Sequence, residues 1–226
     1  MNIYALIPAR AGSKSLPNKN ILPFRGEPLI AHSIRSALES KLISRTIIST
    51  DSQEYADIAI EYAAEVPFLR PSELSGDLIA DGLVYKHFID VMKLEESDLV
   101  VHLRPTNPNR AKGLIDNVLK QMVDQDAPAI RTVSPARFSP YKMVKVSDGL
   151  VSDLIPLEHK VYGTDMPRQV LTQAYELNGN VDAFRVGNIL NLSEAFPRGT
   201  MAYIQPTPTS DIDTFKQFKL AEQVDI

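Results

Sequence analysis

IYALIPARAGSKSLPNKN, residues 3–20, is the stretch from which the fold can be read. Its first five residues, Ile3 to Ile7, are apolar and β-favouring and stop at Pro8, which predicts a short buried strand. The remainder leads towards a helix expected over Pro28–Ser40. There Leu29, Ile30, Ile34, Ala37 and Leu38 share one face, and proline stands near the first turn, where it is tolerated. The same alternation then recurs. Thr46–Thr50 predicts a second strand, with Asp51 or Ser52 capping a helix that runs through Ala64. Val66–Leu69 reads as a short third strand and Asp81–Lys93 as another helix. Leu99–Leu103, a helix from about Lys112 to Val123, and Ala129–Val133 continue the series. Val181–Val186, Met201–Gln205 and a last helix from near Asp213 close it. Strands alternating with helices of this length imply βαβ units, hence a largely parallel sheet covered on both faces. The rhythm breaks between about Ser134 and Asn180, where Pro135, Pro140, Pro156 and Pro167 intervene. Within that break Val144–Val146 and Leu150–Val151 flank Ser147-Asp148-Gly149, the pattern of a β-hairpin. The expected organisation is one α/β domain over residues 1–226, with an inserted arm at about 134–180.

Composition narrows the possibilities. A chain of 226 residues, 44% apolar and 23% charged, can bury a sizeable core without covalent staples. Lys plus Arg number 24 and Asp plus Glu 28, so a net charge of −4 gives no global electrostatic reason to coat nucleic acid. Cysteine is absent, which excludes disulfides, zinc–thiolate sites and thiol nucleophiles. Met1 to Pro8 has no signal-peptide pattern, and no run approaches the roughly 20 apolar residues of a membrane span. The expectation is a soluble cytoplasmic protein with neither nucleic acid nor membrane as partner.

Ligands of such sheets bind beyond the carboxyl ends of the strands. That rule singles out Pro8–Asn20, Thr50–Asp51 and Arg104–Asn107. The first of these packs Gly12, the hydroxyls of Ser13 and Ser15, and the cations Arg10, Lys14 and Lys19 into thirteen residues. Glycine lets backbone N–H groups approach an anion and the cations neutralise phosphates. The loop is neither a Walker A sequence nor a GxGxxG fingerprint, and composition alone leaves open a merely solvated basic turn. In Ser210-Asp211-Ile212-Asp213-Thr214, residues two apart face one side in extended backbone. Asp211 and Asp213 could therefore present two carboxylates to Mg²⁺, or one of them could cap the last helix. Arg104, before Pro105-Thr106-Asn107-Pro108, could clamp a carboxylate bidentately or simply close a turn. Lys142 and Arg168 flank proline-kinked loops, with ordinary surface charge as the alternative. The histidines are scattered without zinc-binding spacing, no GxSxG elbow exists, and the aromatic residues lie singly.

Taken in order, these segments resemble the acylneuraminate (CMP-sialic acid) cytidylyltransferase family, within the wider nucleotide-diphospho-sugar transferase group. The resemblance rests on Ile7 to Lys14 with Leu16 to Asn20, on Ser49-Thr50-Asp51, and on Leu69-Arg70-Pro71-Ser72-Glu73-Leu74. Pro105-Thr106, Pro167-Arg168-Gln169, Asn178-Gly179 and Asp211-Ile212-Asp213-Thr214 complete it nearly end to end. It implies a three-layer α/β fold with an arm for dimerisation, and transfer of CMP from CTP to the anomeric hydroxyl of a keto acid sugar. Mg²⁺ is implied as cofactor, with pyrophosphate released. By the same resemblance Arg10, Gly12, Ser13 and Lys19 would hold the triphosphate. Asn20, Arg70 and Asp81 would serve the ribose and cytosine, and Asp211 and Asp213 the metal. Arg104, Thr106, Lys142, Arg168, Gln169, Glu176 and Asn178 would line the acceptor side, with Lys142 reaching into the partner of a homodimer.

Three positions depart from the family pattern. Arg104 stands where a glutamine is usual, Glu176 where an arginine is frequent, and Asp81 where a serine helps hold the ribose. The first two imply an acceptor other than N-acetylneuraminate, such as a legionaminate- or pseudaminate-type nonulosonate. Arg104 and Glu176 are expected either to pair with each other, or to divide the work, Arg104 taking the sugar carboxylate and Glu176 a hydroxyl or amine. The alternatives are a cytidylyltransferase acting on KDO and a non-catalytic dimeric nucleotide-binding protein.

Overall fold

A computed structural model describes residues 1–155, 166–206 and 211–224. In chain order the elements are β1 (Ile3–Pro8), a two-residue hairpin of β2 (Pro23–Phe24) and β3 (Glu27–Pro28), α1 (Leu29–Leu38), β4 (Arg45–Ser49), α2 (Gln53–Glu61) and α3 (Asp81–Met92). β5 (Leu99–His102), α4 (Leu114–Asp124), β6 (Ala129–Pro135), β7 (Val144–Ser147) and β8 (Leu150–Asp153) follow. β9 (Tyr175–Arg185), α5 (Val186–Leu192), β10 (Met201–Ile204) and α6 (Phe215–Glu222) end the series.

Period-two alternation along β1 divides the core. Ile3, Ala5 and Ile7 face a cluster with Ile30 and Ile34 of α1, Tyr55 of α2, and Val118 and Met122 of α4. Tyr4 and Leu6 face the opposite cluster, with Tyr85 and Phe88 of α3 and Ile189 of α5. Helices thus cover both faces, as the alternation of apolar runs predicts. The main sheet runs β10-β6-β9-β5-β1-β4. β1 is parallel to β4 and β5, and β10 to β6. β9 alone runs against its neighbours, entering between β5 and β6.

One expected strand is not formed. Of the segment around Val66–Leu69, only Glu65 makes a bridge, to Ile47. Glu65 exchanges bonds of 2.9 Å with the backbone of Thr46 and Ile48, and the ladder stops there. Pro67, with no N–H to donate, cannot continue it. In the region expected as an arm, β6 and β9 remain paired out to Pro135↔Tyr175. β7 and β8 form the expected antiparallel hairpin, turning through Asp148 and Gly149, both at positive φ.

A third cluster ties the two ends of the chain together. Phe24 and Leu29 pack with Ile212, Phe218 and Ala221, and the Phe24 and Phe218 rings meet edge-on with centroids 5.4 Å apart. Arg25 donates to the carbonyls of Ala221, Glu222 and Val224 at the end of α6, where helix carbonyls lack intrahelical partners. The segment carrying Asp211 and Asp213 is thereby fixed beside the loop that follows β1. Phe218→Ala should cost about 3–5 kcal/mol through the cavity it leaves in this small cluster. Phe215→Ala, at an exposed neighbour, should cost under about 1 kcal/mol. Urea midpoints of the two variants measure the difference, and equal midpoints would mean that the cluster does not anchor the C-terminal helix.

Candidate active site

Beyond Pro8 the chain is held on both sides. Ala9 N–H donates to Ser49 O at 2.9 Å and Ala11 N–H to Asp51 Oδ1 at 2.8 Å. Asn20, buried, donates from Nδ2 to Arg10 O at 3.0 Å. Asp51 therefore fastens the loop, and Ser52 is the cap of α2, accepting from Tyr55 N–H. Gly12 holds φ +74°, a left-handed conformation that would strain any side chain, although space for one exists. Two cations of this loop meet a carboxylate that composition did not single out. Arg10 Nη2 lies 2.6 Å and Lys14 Nζ 2.5 Å from the oxygens of Asp77. Lys14 and then Arg10 hold the Asp77 carboxyl below its usual range.

These side chains border a cavity of about 220 Å³ at the carboxyl ends of β1 and β5. Arg10, Ser13, Lys19, Asn20, Arg70 and Asp81 line it, and Arg104 and Thr106 close its far side. Arg70 is buried, with Nε on Ser75 Oγ at 3.1 Å and its N–H on Thr50 O at 2.7 Å. Burial presses its pKa down, and Asp51 opposes that. His102, also lining the cavity, shares a 2.6 Å hydrogen bond between Nδ1 and Tyr85 Oη. Burial, reinforced by Arg104, holds its pKa well below the ordinary imidazole value, so the ring is neutral.

A second cavity, of about 490 Å³, shares Arg104 with the first and is lined also by Arg131, Arg137, Glu176, Asn178 and Asp211. The wall between the two is built on one carboxylate. Asp182, fully buried on β9, accepts from Arg104 Nη1 at 2.9 Å and from Arg131 Nε and Nη2 at 3.2 and 3.0 Å. Arg104 Nη2 reaches Asp81 Oδ2 at 3.0 Å. Burial works against the Arg104 charge, but Asp182 outweighs it and the pKa is raised. The expected pairing of Arg104 with Glu176 is not formed, because the guanidinium is committed to Asp182 and Asp81. A buried Asp182 without a partner would be costlier than an exposed Glu176 without one. Glu176 Oε1 instead lies 3.9 Å from Arg137 Nε. Behind the wall, fully buried Arg110 donates to Asn180 O, Ser33 Oγ and Arg104 O at 2.6, 2.8 and 2.8 Å. Burial and the neighbouring Arg104 push its pKa down to about 9. Gly179 holds φ +66°, which would strain any side chain, and a Cβ would lie 3.2 Å from Arg104 Nη1 and from Asn107 Nδ2, which would have to give way slightly. Asn178 before it donates to Ser134 Oγ and Gln205 Oε1.

At the C-terminal end Ile212 is buried, and its N–H donates to Thr106 O at 3.0 Å. Asp211 and Asp213 flank it and are exposed, as alternation predicts. Asp211 lines the second cavity, and Asp213 Oδ1 meets Lys19 Nζ at 2.9 Å. Neither caps α6: Thr214 does, in a capping box with Gln217. Two hard oxygen donors, one already facing a cation, suit a divalent ion. Among the described residues no group of three acids or histidines could hold one alone. Lys142, exposed in the turn Pro140–Lys142, lines neither cavity, and neither does Gln169 in the turn Arg168–Val170. Asp182, Arg131, Arg110 and Asp77 were not foreseen. The first two carried a faint signal, each a lone charge inside an apolar strand.

A family model described as Cytidylyltransferase matches residues 4–176. Along 99% of its length the chain is 30% identical to CMP-N,N'-diacetyllegionaminic acid synthase of Legionella pneumophila, covering 96% of that protein. It is 31% identical over 97% of its length to N-acylneuraminate cytidylyltransferase of Escherichia coli, covering 51% of that protein. Among solved structures, CMP:2-keto-3-deoxy-manno-octonic acid synthetase complexed with CTP superposes with a TM-score of 0.71. That match covers 98% of this chain and 97% of the other at 17% identity, and so speaks for the fold alone. No described helix is long and apolar enough to cross a membrane.

Asp182→Asn should cost about 3–5 kcal/mol, because it leaves two half-buried guanidiniums facing a neutral amide. Urea unfolding at pH 7 measures it, and a loss below about 1 kcal/mol would mean that the pairs are dispensable. The depressed pKa of His102 gives a second expectation. Below about pH 6.5 the unfolded chain binds a proton that the folded ring refuses, so stability falls with pH by about 1.4 kcal/mol per unit on this account. The difference in stability between parent and His102→Gln should shrink steadily from pH 6.5 downwards. A constant difference would mean that the ring is protonated in the folded protein.

Proposed function

The chain belongs to the cytidylyltransferase family, and we propose that it transfers CMP from CTP to the anomeric hydroxyl of a keto acid sugar. The observation that carries this reading is the pair of cavities meeting at Arg104, one bordered by the loop cations and the other by Arg131, Arg137, Glu176 and Asn178. A nucleotide donor and a polar acceptor can lie on either side of one wall and meet at its edge. Arg10, Lys14 and Lys19 receive the triphosphate, exchanging the carboxylates of Asp77 and Asp213 for phosphate oxygens. Gly12 and Ser13 turn the loop around it, and Arg70 and Asp81 border the nucleoside, with Asn20 holding the loop. The acceptor oxygen attacks the α-phosphorus, the bond to the β-phosphate oxygen breaks, pyrophosphate leaves and the hydroxyl proton goes to solvent. In such a displacement positioning and charge neutralisation do most of the work.

Asp211 and Asp213 are the pair that would hold Mg²⁺, completed by water and phosphate oxygens as this ion prefers. When bound, the ion supplies Lewis-acid stabilisation of the phosphoryl charge. The acceptor belongs to the nonulosonates, of legionaminate or pseudaminate type, since Arg104 and Glu176 change the charge pattern of the second cavity. Asn178 completes that side, Thr106 stands at its edge in the first cavity, and the family resemblance alone assigns Arg168 and Gln169 to it. The chain acts as a homodimer in the cytoplasm, with Lys142 of the arm reaching the partner's site. Exposed Val146, Leu150 and Val151 on the β7–β8 hairpin support an arm that seeks a partner surface.

Pyrophosphate release with CTP, Mg²⁺ and a panel of keto acid sugars tests the reading. Turnover is expected with legionaminate- or pseudaminate-type acids ahead of N-acetylneuraminate and KDO. CTP binding without pyrophosphate from any of them would favour a nucleotide-binding protein. Asp211→Asn and Asp213→Asn should each lower kcat on the order of 100-fold and raise the Mg²⁺ requirement, with a near-parental Tm since Thr214 is the cap. Parental turnover at low Mg²⁺ would remove both from metal binding. Arg10→Ala and Lys19→Ala should weaken CTP binding about tenfold each, as lost charged hydrogen bonds do, in calorimetric titrations.

A further inference from the structure

Resting on that reading of the second cavity, we propose that Arg131 is the residue that recognises the carboxylate of the acceptor sugar. Three arginines line this cavity, and their commitments differ. Arg104 spends Nη1 on Asp182 and Nη2 on Asp81. Arg137 faces Glu176. Arg131 places Nε and Nη2 on the single carboxylate of Asp182, and its Nη1 has no partner among the described residues. An arginine forked on one carboxylate keeps its remaining N–H donors for a second anion.

The setting prepares the group for that task. Arg131 and Asp182 face each other in register on β6 and β9, and His102 opposes Asp182 on β5. This polar row lies one pleat beyond the apolar row of Val100, Phe184 and Ala129. The Arg131 guanidinium lies over the Phe196 ring at 4.3 Å, and that ring packs on Phe184 at 5.7 Å between centroids. Asp182 on one edge and Phe196 beneath hold the plane before any ligand arrives, so less ordering remains to be done on binding. In the wall the guanidiniums of Arg104 and Arg131 are matched by the carboxylates of Asp182 and Asp81, and because Asp81 sits on Arg104 alone, Arg131 has only its share of Asp182 inside the acceptor cavity. Arg131 is absent from the lining of the nucleotide cavity, which separates its role from phosphate binding.

The test pairs a change in the protein with a change in the ligand. Binding of N,N'-diacetyllegionaminate, and separately of its C1 carboxamide, is measured by calorimetry on the full chain loaded with α,β-methylene-CTP. The same pair is prepared from N-acetylneuraminate. The parent should bind the acid about 10–100-fold more tightly than the amide, as expected for a charge-assisted bond. Arg131→Gln should bind acid and amide within about threefold of each other, and Arg131→Lys should recover part of the preference. Affinity for the CTP analogue is measured in the same variants, and any change in it should be the same for acid and amide, because Arg131 reaches the nucleotide cavity only through Asp182 and Arg104. A purely structural role would weaken both ligands together and leave the preference intact. An undiminished preference in Arg131→Gln, or its loss in Arg137→Gln instead, would overturn the assignment while leaving the acceptor cavity standing. A parent that binds neither pair, nor pseudaminate and its C1 carboxamide, would overturn both.

Discussion

A carboxylate wholly shielded from water, held between two guanidiniums, sets the terms for the rest of this molecule. Arg104 and Arg131 both donate to Oδ2 of Asp182, and Arg131 also reaches Oδ1, so Asp182 is buried with both oxygens paired. Both approaches need the sheet as it is built. β9 must run antiparallel between β5 and β6, so that Arg131 faces Asp182 in register and Arg104 arrives from the end of β5. Gly179 holds a positive φ that would strain a side chain, and one would crowd the Arg104 guanidinium. Arg110 then braces the backbone of Arg104 and Asn180 from the opposite side. A short chain of buried charge thus decides where two cavities are divided.

The nucleotide side follows a different logic, of weak pairs ready to be exchanged. Arg10 and Lys14 rest on an exposed Asp77, and Lys19 on an exposed Asp213. Exposed pairs of this kind are screened by water, so on the proposed reading a triphosphate with several charges displaces them at little cost. What must not move is the backbone that carries the cations, and there the fastenings are stronger. Asp51 and Asn20 bind the loop at Ala11 and Arg10, with Ile212 clamped to Thr106 opposite. Mobile charges on a fixed frame suit a ligand that enters and leaves in every turnover.

Local pattern carried the reading of the frame. Helices α1 to α4, and each parallel strand, appear in the spacing of apolar residues, because burial on a 3.6- or 2-residue period leaves a local mark, whereas the seven-residue α5 was not read. The direction of β9 leaves none, since a strand buried on both faces reads alike whichever way it runs. Val66–Leu69 had the composition of a strand, and one proline denied it the ladder. The loop cations and the pair Asp211 and Asp213 were legible as short motifs. The partners of Arg104 were not, since Asp81 and Asp182 lie 23 and 78 residues away in sequence.

The same difference separates the two cavities. The nucleotide loop is one continuous stretch, fastened by neighbours that follow at fixed places, so a change in one part is felt by all. The acceptor cavity is assembled from Arg104 after β5, Arg131 on β6, Glu176 and Asn178 on β9, and Asp211 near the C-terminus. Each belongs to a different segment and can vary without disturbing the loop. Coupling is tight at one place only, where Arg104, Arg131 and Asp182 share charge, and a change in one demands changes in the others. The departures at Arg104 and Glu176 are therefore of two kinds. Glu176, beside exposed Arg137, can be exchanged alone. Arg104 belongs to a unit that must change together, and it is this unit, more than any single residue, that sets the charge at the wall of the second cavity.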